Sequence, residues 1–556
     1  MNEFRNKQPN QGRRSSNNSL DGFAQPTRGR RPEGSIGRTK PKSSDSMLGD
    51  FSAKEGLNPR SRPVNEPHPH KAKPSFDDEP IVVSKKKKRS IWPFRRKNKP
   101  PMSKKRKIIT GILIFLFLVL GIGGFLALKG YINLHKVLKG GGGAAALESN
   151  VDPSKLKGEG DGRVNILLLG RGGDENDAPD LTDTIIVASI DPIANEAVLF
   201  SIPRDLYVPV SGSGSMKINA AFATGKNAEL SKVNSKQRNT PENQKKGDEA
   251  GFTKLEETIE TNLGVNIHYH TLVDFAAFRQ AVDTVGGIDI NVPSPVAENM
   301  RIDGKPYRLD VKAGQQHMDG FKALAYSRTR HTSARGDFDR AERQRLVIIA
   351  LKEKILSAGT FSNPAKISSL LDNLGSHVTT NFSLEDMKRL YQLGGQISQQ
   401  KITSVGLADP PNNFVVTDSI AGQSVVVPRA GVGKYTEIKA YLRNVLKDSY
   451  IKNENANVMV LNGTGTAGLA TQKADELKGY GYNVGTVDNA PTRAYTKTVI
   501  VDLRNGSKKY TKNYLEKRYG VSAVTALPDT TIQPGVADFV IIIGNDQANS
   551  AASTTR

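Results

Sequence analysis

Between Ser327 and Arg345 the chain reads SRTRHTSARGDFDRAERQR, with six arginines, no lysine and three acids in nineteen residues. The guanidinium fork donates hydrogen bonds in pairs to planar or tetrahedral oxyanions, so a phosphate-type ligand is the first reading of this composition. Read as the start of a helix, the run from Asp337 puts Arg340 and Gln344 on one face, with Asp337 as a cap. Arg328 and Arg330, two apart and read as a strand end, leave the same side of the chain. An anion between strand end and helix start would meet both pairs. His331 reads as a supporting neighbour, and Arg335, Arg343 and Arg345 as surface charges. Three further polar residues interrupt apolar surroundings: Asp183 before TIIVASI, Arg204 at the end of LFSIPRD, and Lys217 in MKINAAFATG.

Positioning these groups takes an α/β framework. VNILLLG, DTIIVASID and AVLFSIPRD are strands by length and β-branched content. FTKLEETIETNL and VDFAAFRQAVDTV read as helices, the second with Phe275, Phe278 and Val282 on one face. The polar segment Lys226 to Gly251 reads as a surface loop. DRAERQRLVIIALKEKIL reads as a helix whose second half is apolar nearly all round, hence deeply buried. One mixed α/β domain over 161–447 follows, with a central mixed sheet flanked by helices. A smaller α/β domain occupies 455–546, and 547–556 reads as a disordered tail.

Charge separates the rest. Residues 1–107 hold 28 Lys and Arg against 10 Asp and Glu, a net of +18, while the remaining 449 residues carry a net of only +5. The tail is poor in apolar residues and reads as disordered, and its basicity does not point the folded part toward nucleic acid. Thirteen basic residues and no acid lie between Lys85 and Lys107, followed by the uncharged run Ile108 to Leu128. As a helix, 21 residues span ~31 Å, one hydrocarbon core. The expectation is a retained single-pass anchor over 108–130, its N-terminus cytoplasmic and the chain beyond it outside. GGGGAAA, within 131–160, reads as a flexible stalk. There is no cysteine, and the eight histidines show no zinc-type spacing.

Six segments in order, NILLLG…LTDTIIVASID, VLFSIPRDLYV, KINAAFATG, HYHTLVDFAAF…VDTVGGIDINV, GQQHMDGFKALAYSRTRH and GDFDRAERQ, resemble the LytR-CpsA-Psr family of membrane-anchored phosphotransferases. The resemblance implies transfer of a glycopolymer from a polyprenyl-pyrophosphate carrier to peptidoglycan. It also implies Mg²⁺, arginines on the pyrophosphate and an apolar cavity for the lipid tail. By motif, Arg204, Arg328, Arg330, Asp337 and Arg340 take the catalytic positions, Lys217 and Gln344 bind substrate, and Asp183 binds metal. The family's arginine two residues before that aspartate is here Leu181, with Arg171 as its replacement. For the second metal carboxylate the loop GRGGDENDAPD offers Asp174, with Asp177 and Asp180 as alternatives.

The C-terminal unit resembles the LytR C-terminal accessory domain. It carries a strand, Gly463-x-Gly465-x-x-Gly468, a helix and a strand ending near Asp488, the outline of a dinucleotide fingerprint. Ninety residues are few for such a domain, and the alternative reading is a tight strand-to-helix turn that lets backbone pack closely. Two other functions fit the same residues: a phosphohydrolase with water as nucleophile, and a non-catalytic envelope-binding or regulatory protein.

Overall fold

The computed structural model describes residues 141–172, 179–302, 304–330, 333–357 and 377–548. The basic tail, the apolar run 108–128, Asp174, Asp177, His331 and residues 549–556 lie outside them. Among the described residues no helix is long and apolar enough to cross a membrane.

Strands β1 (Val164–Arg171), β2 (Thr182–Asp191) and β3 (Glu196–Ser201) form an antiparallel meander. The hairpin β4 (Tyr207–Val210) and β5 (Gly214–Lys217) leads into helices α1 (Asn219–Ser231) and α2 (Pro241–Leu263). β6 (Tyr269–Asp274) returns parallel to β1 and runs into α3 (Phe275–Thr284). A side lobe pairs β7 (Ile288–Val292) with β10 (Gly314–Met318) and β8 (Val296–Ile302) with β9 (Lys305–Val311). Helices α4 (Gly320–Arg328) and α5 (Asp337–Ser357) then lead back toward β11 (Val378–Thr380), α6 (Leu384–Gln396) and β12 (Ile402–Gly406). The hairpin β13 (Val415–Ile420) and β14 (Gln423–Pro428) and helix α7 (Thr436–Val445) complete the domain.

The main sheet has the order β11-β6-β1-β2-β3-β12, parallel at β1/β6 and β3/β12 and antiparallel elsewhere. It is the mixed, helix-flanked sheet the sequence predicts. β1 is apolar at successive positions because both faces are covered. Leu167 and Leu169 join the core under α2, while Val164, Ile166 and Leu168 face Tyr269, Phe382 and α6. The ends of β1 and β3, the start of β2 and the start of α5 converge on one side of this sheet, and the predicted site lies there.

The second unit follows α8 (Ser449–Glu454). It contains β15 (Asn457–Asn462), α9 (Leu469–Tyr480), β16 (Asn483–Asn489), β17 (Val499–Asp502), α10 (Lys509–Tyr519) and β18 (Phe539–Ile543). Its sheet runs β16-β15-β18-β17 around the fully buried FVIII of β18.

Five expectations are corrected. Lys226 to Gly251 is not a loop: α1 and α2 run through most of it, with only a short turn between them. Gly225 and Gly251 let the two helices touch, since a Cβ on Gly225 would lie 2.5 Å from the Ala250 carbonyl oxygen. The second half of α5 is not buried all round; Val347 and Ile349 are buried, but Leu346, Ile348 and Leu351 are half-buried. The described part of the stalk is packed. Ala144, Ala146 and Leu147 sit against Tyr269 and Phe382, and Val151 and Leu156 enter the core of the C-terminal unit. Finally, Arg328 ends a helix rather than a strand, and Asp337 is the first helical residue of α5 rather than its cap.

Candidate active site

Arg204 follows β3 through the turn Ile202-Pro203. Its Nη1 donates to Asp183 Oδ1 at 2.7 Å, just inside the start of β2, and its Nε lies 3.7 Å from Asp337 Oδ1. One turn into α5, Arg340 donates from Nη2 to Asp337 Oδ2 at 3.0 Å and to the main-chain oxygen of Asp183 at 3.1 Å. Arg330 Nη1 approaches Asp337 Oδ1 to 3.7 Å, and its backbone N–H donates to Glu298 Oε2 at 2.8 Å. Asp337 therefore sits among three guanidinium groups, and Asp183 touches two of the same three. Lys217 reaches this network through Asp205, which its Nζ meets at 2.9 Å and which also lies 3.5 Å from Arg204 Nε. Gln344 lines the same small cavity as Asp183, Arg204, Asp337 and Arg340 and donates to Ser327 O.

Three predicted residues make other contacts. The Arg328 guanidinium lies over the Phe275 ring, 4.7 Å from its centre. Arg171, at the end of β1, pairs with Asp180 at 3.1 Å, and Asp180 also meets the buried Lys226 at 2.8 Å. Asp248 joins that second network. Arg171 and Asp180 thus belong to a second charged network with Lys226 and Asp248.

The electrostatics of the cluster are unbalanced. Burial disfavours charge on Arg204, but Asp183, Asp337 and Asp205 outweigh it and raise its pKa above the ordinary arginine value. Arg340 is pushed down to about 10, first by burial and then by the like charges of Arg204 and Arg330, against the pull of Asp337. The Nε groups of both Arg204 and Arg340 are buried without a hydrogen-bond partner. A buried unsatisfied donor costs about 1–3 kcal/mol, more for a charged group, so a multivalent oxyanion suits this arrangement. Asp183, with its side chain 41% exposed, offers a hard oxygen of the kind Mg²⁺ takes alongside phosphate oxygens. Among the described residues no group of three or more His, Cys, Asp or Glu forms a metal cluster.

Sequence reasoning missed the interior arginines. Arg345 is 1% exposed and Arg343 7%, so neither is a surface charge. Arg343 donates to Thr329 O, bracing the backbone between Arg328 and Arg330. Arg345 is held by Asp409, Ser201 and Ser404. No local periodicity announces a partner 64 residues away.

In the C-terminal unit the glycine motif serves packing. A Cβ on Gly463 would lie 2.8 Å from both Ile543 O and the Tyr495 ring, and Tyr495 N–H donates to Gly463 O. Gly468 takes φ +76° at the start of α9, where a side chain would be strained. Tyr495 joins the ends of β15 and β18, donating to Gly463 O and accepting from Asn545 N–H.

The LytR-CpsA-Psr family model matches residues 132–430, and a second model, described as LytR cell envelope-related transcriptional attenuator, matches 455–546. The cell wall biosynthesis protein LcpA of Corynebacterium glutamicum is 26% identical over 447 residues, covering 73% of this chain and 80% of LcpA. The polyisoprenyl-teichoic acid–peptidoglycan teichoic acid transferase TagU of Oceanobacillus iheyensis is 33% identical over 311 residues, 55% of this chain and 81% of TagU. Among solved structures, Bacillus subtilis TagV is 27% identical and covers 51% of this chain and 97% of its own, with a TM-score of 0.39.

Proposed function

The chain belongs to the LytR-CpsA-Psr family, and from that premise we propose that it is a membrane-anchored, Mg²⁺-dependent phosphotransferase that moves a glycopolymer from a polyprenyl-pyrophosphate carrier to peptidoglycan. The observation that carries the reading is the convergence of Arg204, Arg330 and Arg340 on Asp337 and Asp183, with two buried guanidinium nitrogens lacking a hydrogen bond. Relatives named as teichoic acid–peptidoglycan transferases support the substrate class.

In this reading a sugar hydroxyl of peptidoglycan attacks the phosphorus nearest the glycopolymer. A new P–O bond forms, the hydroxyl O–H bond and the bond to the bridging oxygen break, and polyprenyl phosphate leaves with that oxygen and takes up the hydroxyl proton. Arg204 and Arg340 would hold the nonbridging oxygens and stabilise charge on the leaving phosphate. Arg330, positioned by Glu298, would add a third contact. Asp337 orients Arg340 by its hydrogen bond, and that bond favours an orienting role over that of a base. Lys217 and Gln344 would border the substrate. Asp183 would hold Mg²⁺, which polarises the phosphates when bound. The thirteen basic residues before the apolar run would keep residues 1–107 inside the cell and the site outside, facing the bilayer that confines the carrier lipid.

The test is transfer from a lipid-linked donor to peptidoglycan by the full-length protein, with and without Mg²⁺. Transfer that requires Mg²⁺ and is lost in Arg204→Ala with Arg340→Ala is the expected result. Retained transfer in that double variant places the pyrophosphate elsewhere. Release of the polymer into water at the same rate without acceptor makes the protein a hydrolase.

A further inference from the structure

Arg345 follows Gln344 on α5 and is buried at the edge of the candidate site's cavity. Its three donor groups meet three different parts of the fold. Nη2 donates to Asp409 Oδ2 at 2.5 Å, Nη1 to Ser201 Oγ at 2.7 Å and Nε to Ser404 Oγ at 2.6 Å. Ser201 is the last residue of β3, Ser404 belongs to β12, and Asp409 lies on the loop after β12. One buried guanidinium therefore ties α5 to two adjacent strands of the main sheet.

Asp409 is committed on both edges. Its Oδ1 accepts from Arg335 Nη1 at 3.3 Å, and Arg335 in turn meets Asp339 at 2.7 Å and Glu342 at 2.5 Å on the first turns of α5. The carboxylate folds back over Gly406, where a Cβ would lie 3.0 Å from it. Ser201, Gly406, Arg345 and Asp409 all border the cavity that Asp183, Arg204, Asp337, Arg340 and Gln344 enclose. These residues line the same pocket.

The sequence offsets give the tie its consequence. Arg204 lies three residues beyond Ser201, and Arg340 lies five residues before Arg345, about 7.5 Å along a helix axis. The bond from Arg345 to Ser201 thus fixes the span between the two arginines whose buried Nε groups lack a hydrogen bond. A displacement of about 1 Å at a reacting centre costs on the order of 10²-fold in rate.

We propose that Asp409, acting through Arg345, is a positioning residue of this site: it registers the helix bearing Asp337, Arg340 and Gln344 against the strand end bearing Arg204, and so sets the span over which a diphosphate is gripped. The inference rests on the transferase reading above.

Full-length protein is assayed for transfer, for binding of inorganic pyrophosphate and for thermal unfolding. Wild-type protein that neither transfers nor binds pyrophosphate defeats the transferase reading itself. Given an active wild type, Asp409→Asn and Arg345→Lys are expected to lower kcat on the order of 10²-fold while remaining folded at the assay temperature. The apolar pair Arg345→Met with Asp409→Leu supplies the contrast, since replacing both members of a buried ion pair is often neutral for stability. Recovery of the melting temperature without recovery of kcat supports positioning. Recovery of both together, or wild-type kcat in either single variant, overturns it. Should the single variants fail to fold, Ser404→Ala removes only the Nε contact; a kcat lowered several-fold at unchanged melting temperature supports the proposal, and an unchanged kcat refutes it.

Discussion

Among the cluster's side chains Arg340 is the one whose charge is least well accommodated. Its pKa of about 10 in the folded chain lies below the ordinary 12.5, so from pH 10 upward the unfolded chain holds more protons and stability rises with pH. Below pH 10 both states are charged and the folded state bears the burial cost, which a bound oxyanion would offset. Inorganic pyrophosphate at a hundred times its Kd should therefore raise the unfolding free energy of the wild type by about 2.7 kcal/mol. The same pyrophosphate concentration should have much less effect on Arg340→Gln; equal shifts in calorimetry would place the anion elsewhere. Arg340→Lys keeps the charge but loses the fork, and kcat/KM for transfer should fall on the order of 10²-fold, since removing one donor to a developing oxyanion commonly costs that much. The types and spacing of Asp337, Arg340 and Gln344 could be read from the sequence because they lie within two turns of one helix. Arg345 and Arg343 looked like solvated charges because a helical face alternates every three or four residues and their partners come from other elements. Nothing in the chain near Arg345 points to Asp409, Ser201 or Ser404.

Elements follow a similar rule. β1 and β2 were legible because unbroken apolar runs need two covered faces. The α1–α2 pair was not, because its contact is made with glycine rather than with large apolar side chains. Gly225 faces the Ala250 carbonyl, and a Cβ on Gly251 would lie 2.9 Å from the Phe222 ring. Between these points the exposed sides carry Lys, Glu, Asn and Gln, so the composition resembles a loop. Alanine normally favours a helix over glycine by about 1 kcal/mol. Gly225→Ala should nonetheless destabilise, by about 1–3 kcal/mol, because the added methyl meets backbone that cannot yield without separating the helices. A raised melting temperature in that variant would show that the helices part easily. The lobe formed by β8 and β9 has a comparable local duty, since Glu298 on β8 fixes the Arg330 backbone. Glu298→Ala should weaken transfer without shifting the main-sheet core, as measured by kinetics beside a near-UV spectrum.

Across the described residues, the two α/β units meet through buried polar groups. Asp448, 2% exposed, accepts hydrogen bonds from Gly162 N–H, Tyr450 N–H and the Tyr514 hydroxyl. Nearby, Asp191 accepts from Arg163 and Ser449. Burial pushes the Asp448 carboxyl up to about 6, and Asp191 adds to the effect against the hydrogen bonds from Tyr514 and the backbone. The folded state thus binds this proton more tightly than the unfolded chain. Its contribution to stability is full below the ordinary 3.8 and is lost as pH rises through 6. The stability difference between wild type and Asp448→Asn should shift by roughly 2–3 kcal/mol between pH 4 and pH 7, read from urea unfolding. A flat difference would mean that Asp448 does not titrate in that window. The position of residues 151–159 has a temporal consequence. Tyr510 donates to Val151 O, Asn513 to Leu156 O and Arg518 to Glu159, across 357 to 359 residues. A ribosome delivers the first of these partners long before the second. While the intervening chain is being made, Val151 and Leu156 lack the apolar cover they finally share with Tyr514 and Leu515. Tyr510, Asn513 and Arg518 therefore close a gap left by residues made long before them, and a nascent chain halted after α7 would present that gap to chaperones and proteases.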